Sequence, residues 1–106
     1  MTPSGGVALS RNDAELPYTL RYHPRVADQD LKTIPAETRR RIARSIDARL
    51  TTAPERYGAP LTGTLRGYWK LRVGDYRVVF KVSTAEVLIL AILHRKDVYE
   101  RASRRR

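Results

Sequence analysis

The sequence predicts an α+β domain: a short N-terminal strand, two amphipathic helices, a mostly antiparallel three-stranded meander packed on those helices, and a short C-terminal helix. Two observations carry that expectation. Apolar residues recur at helical spacing in the first half of the chain and alternate singly with polar ones in the second. Between the halves, Pro54, Gly58, Pro60, Gly63 and Gly67 crowd a stretch that neither period can cross, which argues for an irregular connection.

In chain order, residues 1–16 show no sustained period and read as a flexible leader, leaving residues 17–106 as one domain. Tyr18 to Tyr22 alternates as a short strand would, and His23-Pro24 ends it. Pro24 suits a first helical position, where its missing donor costs nothing, and Ala27, Leu31 and Ile34 follow at helical spacing. Pro35 breaks that helix and opens a second. There Ile42, Ala43, Ile46 and Leu50 form one stripe, and Arg39, Arg40, Arg41, Arg44 and Arg49 lie elsewhere, the usual mark of a solvated helix face. Val87 to Leu93 is apolar at every position, as in a central strand with neighbours on both sides and cover on both faces. Asp97 to Ala102 can form a short helix bearing Tyr99, and Arg104 to Arg106 reads as a frayed basic tail.

At 106 residues the chain has the size of one ordinary domain. Its 21 Lys and Arg against 11 Asp and Glu leave a formal charge of +10, so polyanions or acidic proteins are the natural partners. With no cysteine, disulfides, thiolate metal sites and cysteine nucleophiles are excluded, and with His23 and His94 alone no histidine metal site is expected. Neither a metal nor a cofactor is expected. The longest apolar run is too short for a bilayer and no secretory leader pattern opens the chain, so the cytoplasm is the expected compartment, with no membrane partner.

If Gly74 and Asp75 form a hairpin loop, Val73 faces Tyr76 and Arg72 faces Arg77, because cross-strand neighbours share a sheet face. Lys70, Arg72, Arg77 and Lys81 then line one face. Trp69, Leu71, Val73, Tyr76, Val78, Phe80 and Val82 line the other and supply a core against the helices, which makes Trp69 a core residue rather than a base platform. Like charges side by side destabilise a sheet, so the basic face invites an anion; the competing reading is a solvated face that blunts strand pairing.

The residues near that face suit one chemistry. RNA can be cut without a metal, because its own 2′-hydroxyl attacks the adjacent phosphate once a base removes its proton. Lys70, Arg77 and Arg95 can stabilise charge building on the phosphorane. His94 has the unperturbed pKa of a proton carrier, although a histidine at a strand end is more often a surface residue. Tyr99 can transfer a proton if nearby cations lower its pKa, or it can stack a base. Tyr68, beside the basic face, is a further stacking candidate, and Arg72, Lys81 and Lys96 are candidates for contacts to the RNA.

The order of elements, with Trp69-Lys70-Leu71-Arg72-Val73-Gly74-Asp75-Tyr76-Arg77 and Leu93-His94-Arg95-Lys96-Asp97-Val98-Tyr99, resembles the RelE/ParE toxin family over about residues 18–102. The resemblance implies a RelE-like toxin held inactive by a cognate antitoxin. RelE-like members enter the ribosome and cleave the bound messenger RNA without a metal, which would place roles in the reaction on Lys70, Arg77, Arg95 and Tyr99. Tyr68 stands where some RelE enzymes have a further lysine, and the spacing near Arg95 differs. His94 is a candidate to compensate. A ParE-like toxin that poisons DNA gyrase by binding shares the same resemblance, and a basic nucleic-acid-binding domain without catalysis is the third reading.

Overall fold

A computed structural model describes residues 17–106; the leader expected over residues 1–16 lies outside the described residues. Five strands form one sheet in the order β1-β5-β4-β3-β2. They are β1 (Thr19–Tyr22), β2 (Ala59–Pro60), β3 (Trp69–Val73), β4 (Tyr76–Val82) and β5 (Glu86–His94). All neighbours are antiparallel except β1 and β5, whose parallel pairing requires a crossover connection. The helices α1 (residues 24–33) and α2 (Ala36–Ser45, with a last wider turn over Ile46–Leu50) supply it.

The two predicted helices are present, with Ile34 and Pro35 between them in extended geometry. Their buried stripe, Val26, Ile42, Ile46 and Leu50, packs on Leu71, Val73, Val78, Phe80, Val87, Ile89 and Ile92. Each large side chain fully buried there contributes about 1.5–3 kcal/mol of hydrophobic stabilisation before chain entropy is subtracted. Trp69 and Tyr76 pack on the edge of this core, as the alternation implied. Ala43 is the exception: it is exposed, because the helical hairpin leaves an open apolar groove of about 590 Å³ between α1 and α2, bordered by Tyr22, Leu31, Ala43 and Arg39.

The opposite sheet face is not a bare basic surface. Leu61, Leu65, Val79, Leu90, Ala91 and Leu93 form a second core with Val98 and Ala102 of α4 (residues 95–102). A bulge in β5 supplies part of it. Val79 pairs with Ala91 while the next residue of β4, Phe80, pairs with Ile89, so Leu90 is the extra residue. Ile89 faces the helical hairpin, Leu90 and Ala91 both face α4, and alternation resumes at Ile92. The expectation of a buried strand covered on both faces therefore holds.

The breaker-rich connection also contains order. Pro54–Tyr57 makes one helical turn, α3, and Ala59–Pro60 adds an edge strand to β3, a position where a proline without its N–H does no harm. Gly58 is required between them, since a Cβ there would lie 2.6 Å from the Phe80 ring.

The basic tail is a correction to the sequence reading. Arg105 is not frayed: its guanidinium grips Asp30 of α1 in a two-point ion pair, Nη1 to Oδ2 at 2.6 Å and Nη2 to Oδ1 at 2.7 Å. The Asp30 side chain is fully buried and that of Arg105 is 5% exposed. Strand β1 pairs with β5 only as far as Ile89. Beyond it the Ile92 N–H donates to Asp30 Oδ2 and the Leu90 carbonyl accepts from Arg105 Nη1, so the pair closes a strand edge that β1 leaves open.

Candidate active site

Two strands and a helix build a hollow of about 270 Å³ on the α4 side of the sheet, lined by Lys70, Arg77, Arg95, Lys96 and Tyr99 over a floor of Leu61 and Val98. The hairpin register is the one predicted, with Arg72 opposite Arg77 and Val73 opposite Tyr76. Lys70, two residues before Arg72, is therefore the diagonal neighbour of Arg77, at a spacing of about 7–8 Å for such positions. Gly74 turns the hairpin at φ +60, a conformation glycine adopts without cost. Arg77 Nη1 donates to the Gly74 carbonyl at 3.0 Å and to that of Tyr76 at 2.9 Å, which holds the guanidinium above the turn.

Arg95 enters as β5 ends. Its N–H donates to the Asp75 carbonyl at 2.8 Å, pinning the start of α4 to the hairpin. Its Nε lies 3.8 Å from Asp75 Oδ1 with both side chains mostly exposed, so that ion pair is weak and the charge is largely uncompensated. Partial desolvation lowers the Arg77 pKa first, and the neighbouring Arg72 and Arg95 charges lower it further against the opposing pull of Asp75. Arginine remains charged throughout, so the direction reports a guanidinium partly withdrawn from water and, second to that, set among like charges.

Tyr99 stands at the rim. Its hydroxyl lies 3.4 Å from Thr62 Oγ1 and accepts the Thr62 N–H at 3.3 Å. These two contacts, the hydroxyl first, hold its pKa below the usual phenol value; partial burial opposes them and the Lys70 charge assists. Thr64 and Ser103 share a hydroxyl hydrogen bond of 2.6 Å that laces the loop after β2 to the end of α4, fixing the pair. Thr62 was not visible as a site residue, because a threonine in a breaker-rich loop has no local pattern marking it.

The remaining candidates fall away from the hollow. His94 pairs with Tyr76 in the β4–β5 ladder and so lies toward the helical hairpin, its ring edge-on to Tyr76 at 5.8 Å. Its Nδ1 accepts the Lys96 N–H and caps α4, so the structure does not bring His94 to Lys70 and Arg77. Arg72 is exposed beside the hollow without lining it. Lys81 sits over the Tyr68 ring at 5.6 Å, and Tyr68 is half-buried against the second core rather than open for stacking.

A family model described as the ParE toxin of type II toxin–antitoxin system, parDE, matches residues 20–99, a span that holds the whole hollow. The chain belongs to the RelE/ParE toxin family. It is a toxin of a type II toxin–antitoxin system. The toxin is 32% identical over 88 residues to Toxin RelG of Mycobacterium tuberculosis, covering 81% of this chain and 100% of that protein. Its fold matches a chain of the toxin–antitoxin complex RelBE2 from the same organism with a TM-score of 0.69 at 30% identity, over 81% of this chain and 100% of that one. A chain of the RelB–RelE antitoxin–toxin complex from Methanococcus jannaschii shares the fold, with a TM-score of 0.57 at 23% identity over 76% of this toxin and 95% of that chain. Among the described residues no helix is long and apolar enough to cross a membrane.

Proposed function

We propose that this toxin is a metal-independent endoribonuclease that cuts messenger RNA on the ribosome and so arrests translation. The observation that supports it is the convergence of Lys70, Arg77, Arg95 and Lys96 on one hollow beside a tyrosine whose pKa is held down. A phosphodiester seated there meets Arg77 from β4 and Lys70 from β3. As the 2′-oxygen attacks phosphorus, negative charge grows on the non-bridging oxygens, and cations already fixed in place stabilise that state more than the ground state. Tyr99 exchanges protons with the attacking or leaving oxygen, which the Thr62 contacts and the Lys70 charge favour by stabilising phenolate. His94 has no part in this scheme.

A cognate antitoxin completes the reading. The apolar groove between α1 and α2, edged by Arg39 and Arg40, suits an amphipathic segment with acidic flanks. The match to a ParE model keeps a second reading in view, a toxin that inhibits DNA gyrase by binding. Mapping RNA ends and DNA breaks after brief induction separates them. Cleavage within ribosome-bound messages, lost in Arg77→Ala, is the expected result. Intact messages together with double-strand breaks would overturn it.

A further inference from the structure

A second cationic hollow, of about 190 Å³, lies at the other end of α4 between that helix and α1, and is lined by Arg25, Gln29, Arg101, Arg104 and Arg105. We propose that it is a second phosphate site, which takes a backbone phosphate of the same RNA whose scissile phosphate sits at Arg77. The proposal rests on the ribonuclease reading.

Its floor is built rather than incidental. Arg105 is almost wholly buried and held by Asp30 and the Leu90 carbonyl. Those contacts engage three of the five N–H donors of a guanidinium. The Nε–H and one Nη2–H stay uncommitted among the described residues, in a side chain that lines the hollow. Such donors in a nearly buried group call for an acceptor from outside.

The walls add charge. Arg104 is paired with Glu100 at 3.2 Å, whereas Arg25 and Arg101 have no carboxylate partner within 4.0 Å among the described residues. Planar forks of this kind match the tetrahedral oxygens of a phosphate with two parallel hydrogen bonds. The same groups would also hold a carboxylate, but the placement favours RNA. Tyr99 lies in α4 and Arg104 two residues past its end, so both hollows border one continuous stretch of chain. A single strand lying along that stretch would meet both.

The test uses the full chain and a short single-stranded 2′-O-methyl RNA, which the proposed chemistry cannot cut, with the dissociation constant measured across salt concentrations. Arg25→Ala with Arg101→Ala is expected to weaken binding about tenfold near physiological salt and to make the log–log salt slope less negative by about 0.7, the value for one phosphate contact on a single strand. Arg44→Ala with Arg56→Ala, which removes the same net charge from α2 and α3, is expected to bind within about twofold of the unaltered toxin, because screening weakens distant charges. Equal weakening by both pairs, or no weakening by the first, would overturn the site. So would a loss confined to poly-glutamate peptide, which would assign the hollow to an acidic protein. Failure of the unaltered toxin to cut messenger RNA on the ribosome would sink the ribonuclease reading while leaving this measurement valid, since the 2′-O-methyl strand is uncut in either case.

Discussion

Arg105 and Arg77 are both arginines beside α4, and they meet opposite surroundings. Arg105 finds the Asp30 carboxylate on α1 and the Leu90 carbonyl of β5, and its charge is neutralised within the fold. Arg77 has only the carbonyls of its own hairpin, with Arg72 and Arg95 crowding it. A neutralised and buried arginine holds the fold together, whatever its two spare donors take. An arginine set among like charges over a hollow adds little to the fold and gains a partner when an anion arrives.

Each prediction bears on that contrast, and the largest effect belongs to the structural arginine. Asp30→Ala leaves Arg105 buried without its counter-charge and Ile92 without an acceptor, so thermal or denaturant unfolding should show a loss of about 3–5 kcal/mol. A loss within ordinary surface-mutation scatter would erase the distinction between the two arginines. For Arg77→Ala the fold should be unchanged, within about 0.5 kcal/mol. Cleavage should drop about 10²–10³-fold, as when a fixed donor to a developing oxyanion is removed. A variant that melts early would instead make Arg77 structural.

Smaller effects separate proton transfer from charge. Tyr99→Phe removes the hydroxyl and keeps the ring, and single-turnover cleavage is expected to slow about 10²-fold, with RNA affinity retained. Thr62→Val is the mildest change. The Thr62 hydroxyl is the leading cause of the lowered Tyr99 pKa, so its loss raises that pKa. The pH–rate limb belonging to Tyr99 then moves to higher pH. A limb that stays in place would detach Thr62 from the chemistry.

The core hairpin was legible because strict alternation and a two-residue loop together fix which side chains share a face, and Lys70, Arg72 and Arg77 followed from it. His94 was misplaced for a physical reason: its side depends on the β4–β5 register, which contains a bulge that alternation alone does not reveal. The second core had a visible trace in Val79, an apolar residue among cations, and in the unbroken run of β5. Its partners Leu61, Leu65, Val98 and Ala102 sit in segments too short to show a period. The Asp30–Arg105 pair joins residues 75 positions apart, and no local spacing encodes such a contact.

The doubled residue at Leu90 acts as a phase-setter for everything that follows it. With Leu90 absorbed, Leu93 comes to lie opposite Arg77, and His94 opposite Tyr76 on the hairpin side. One residue inserted or deleted between Ala91 and Leu93, with the ladder otherwise kept, would exchange the sides: imidazole would arrive beside the cations and leucine would turn toward the helices. The polypeptide is thus one residue away from a differently equipped hollow, and the irregular step in a buried strand is what keeps the two versions apart.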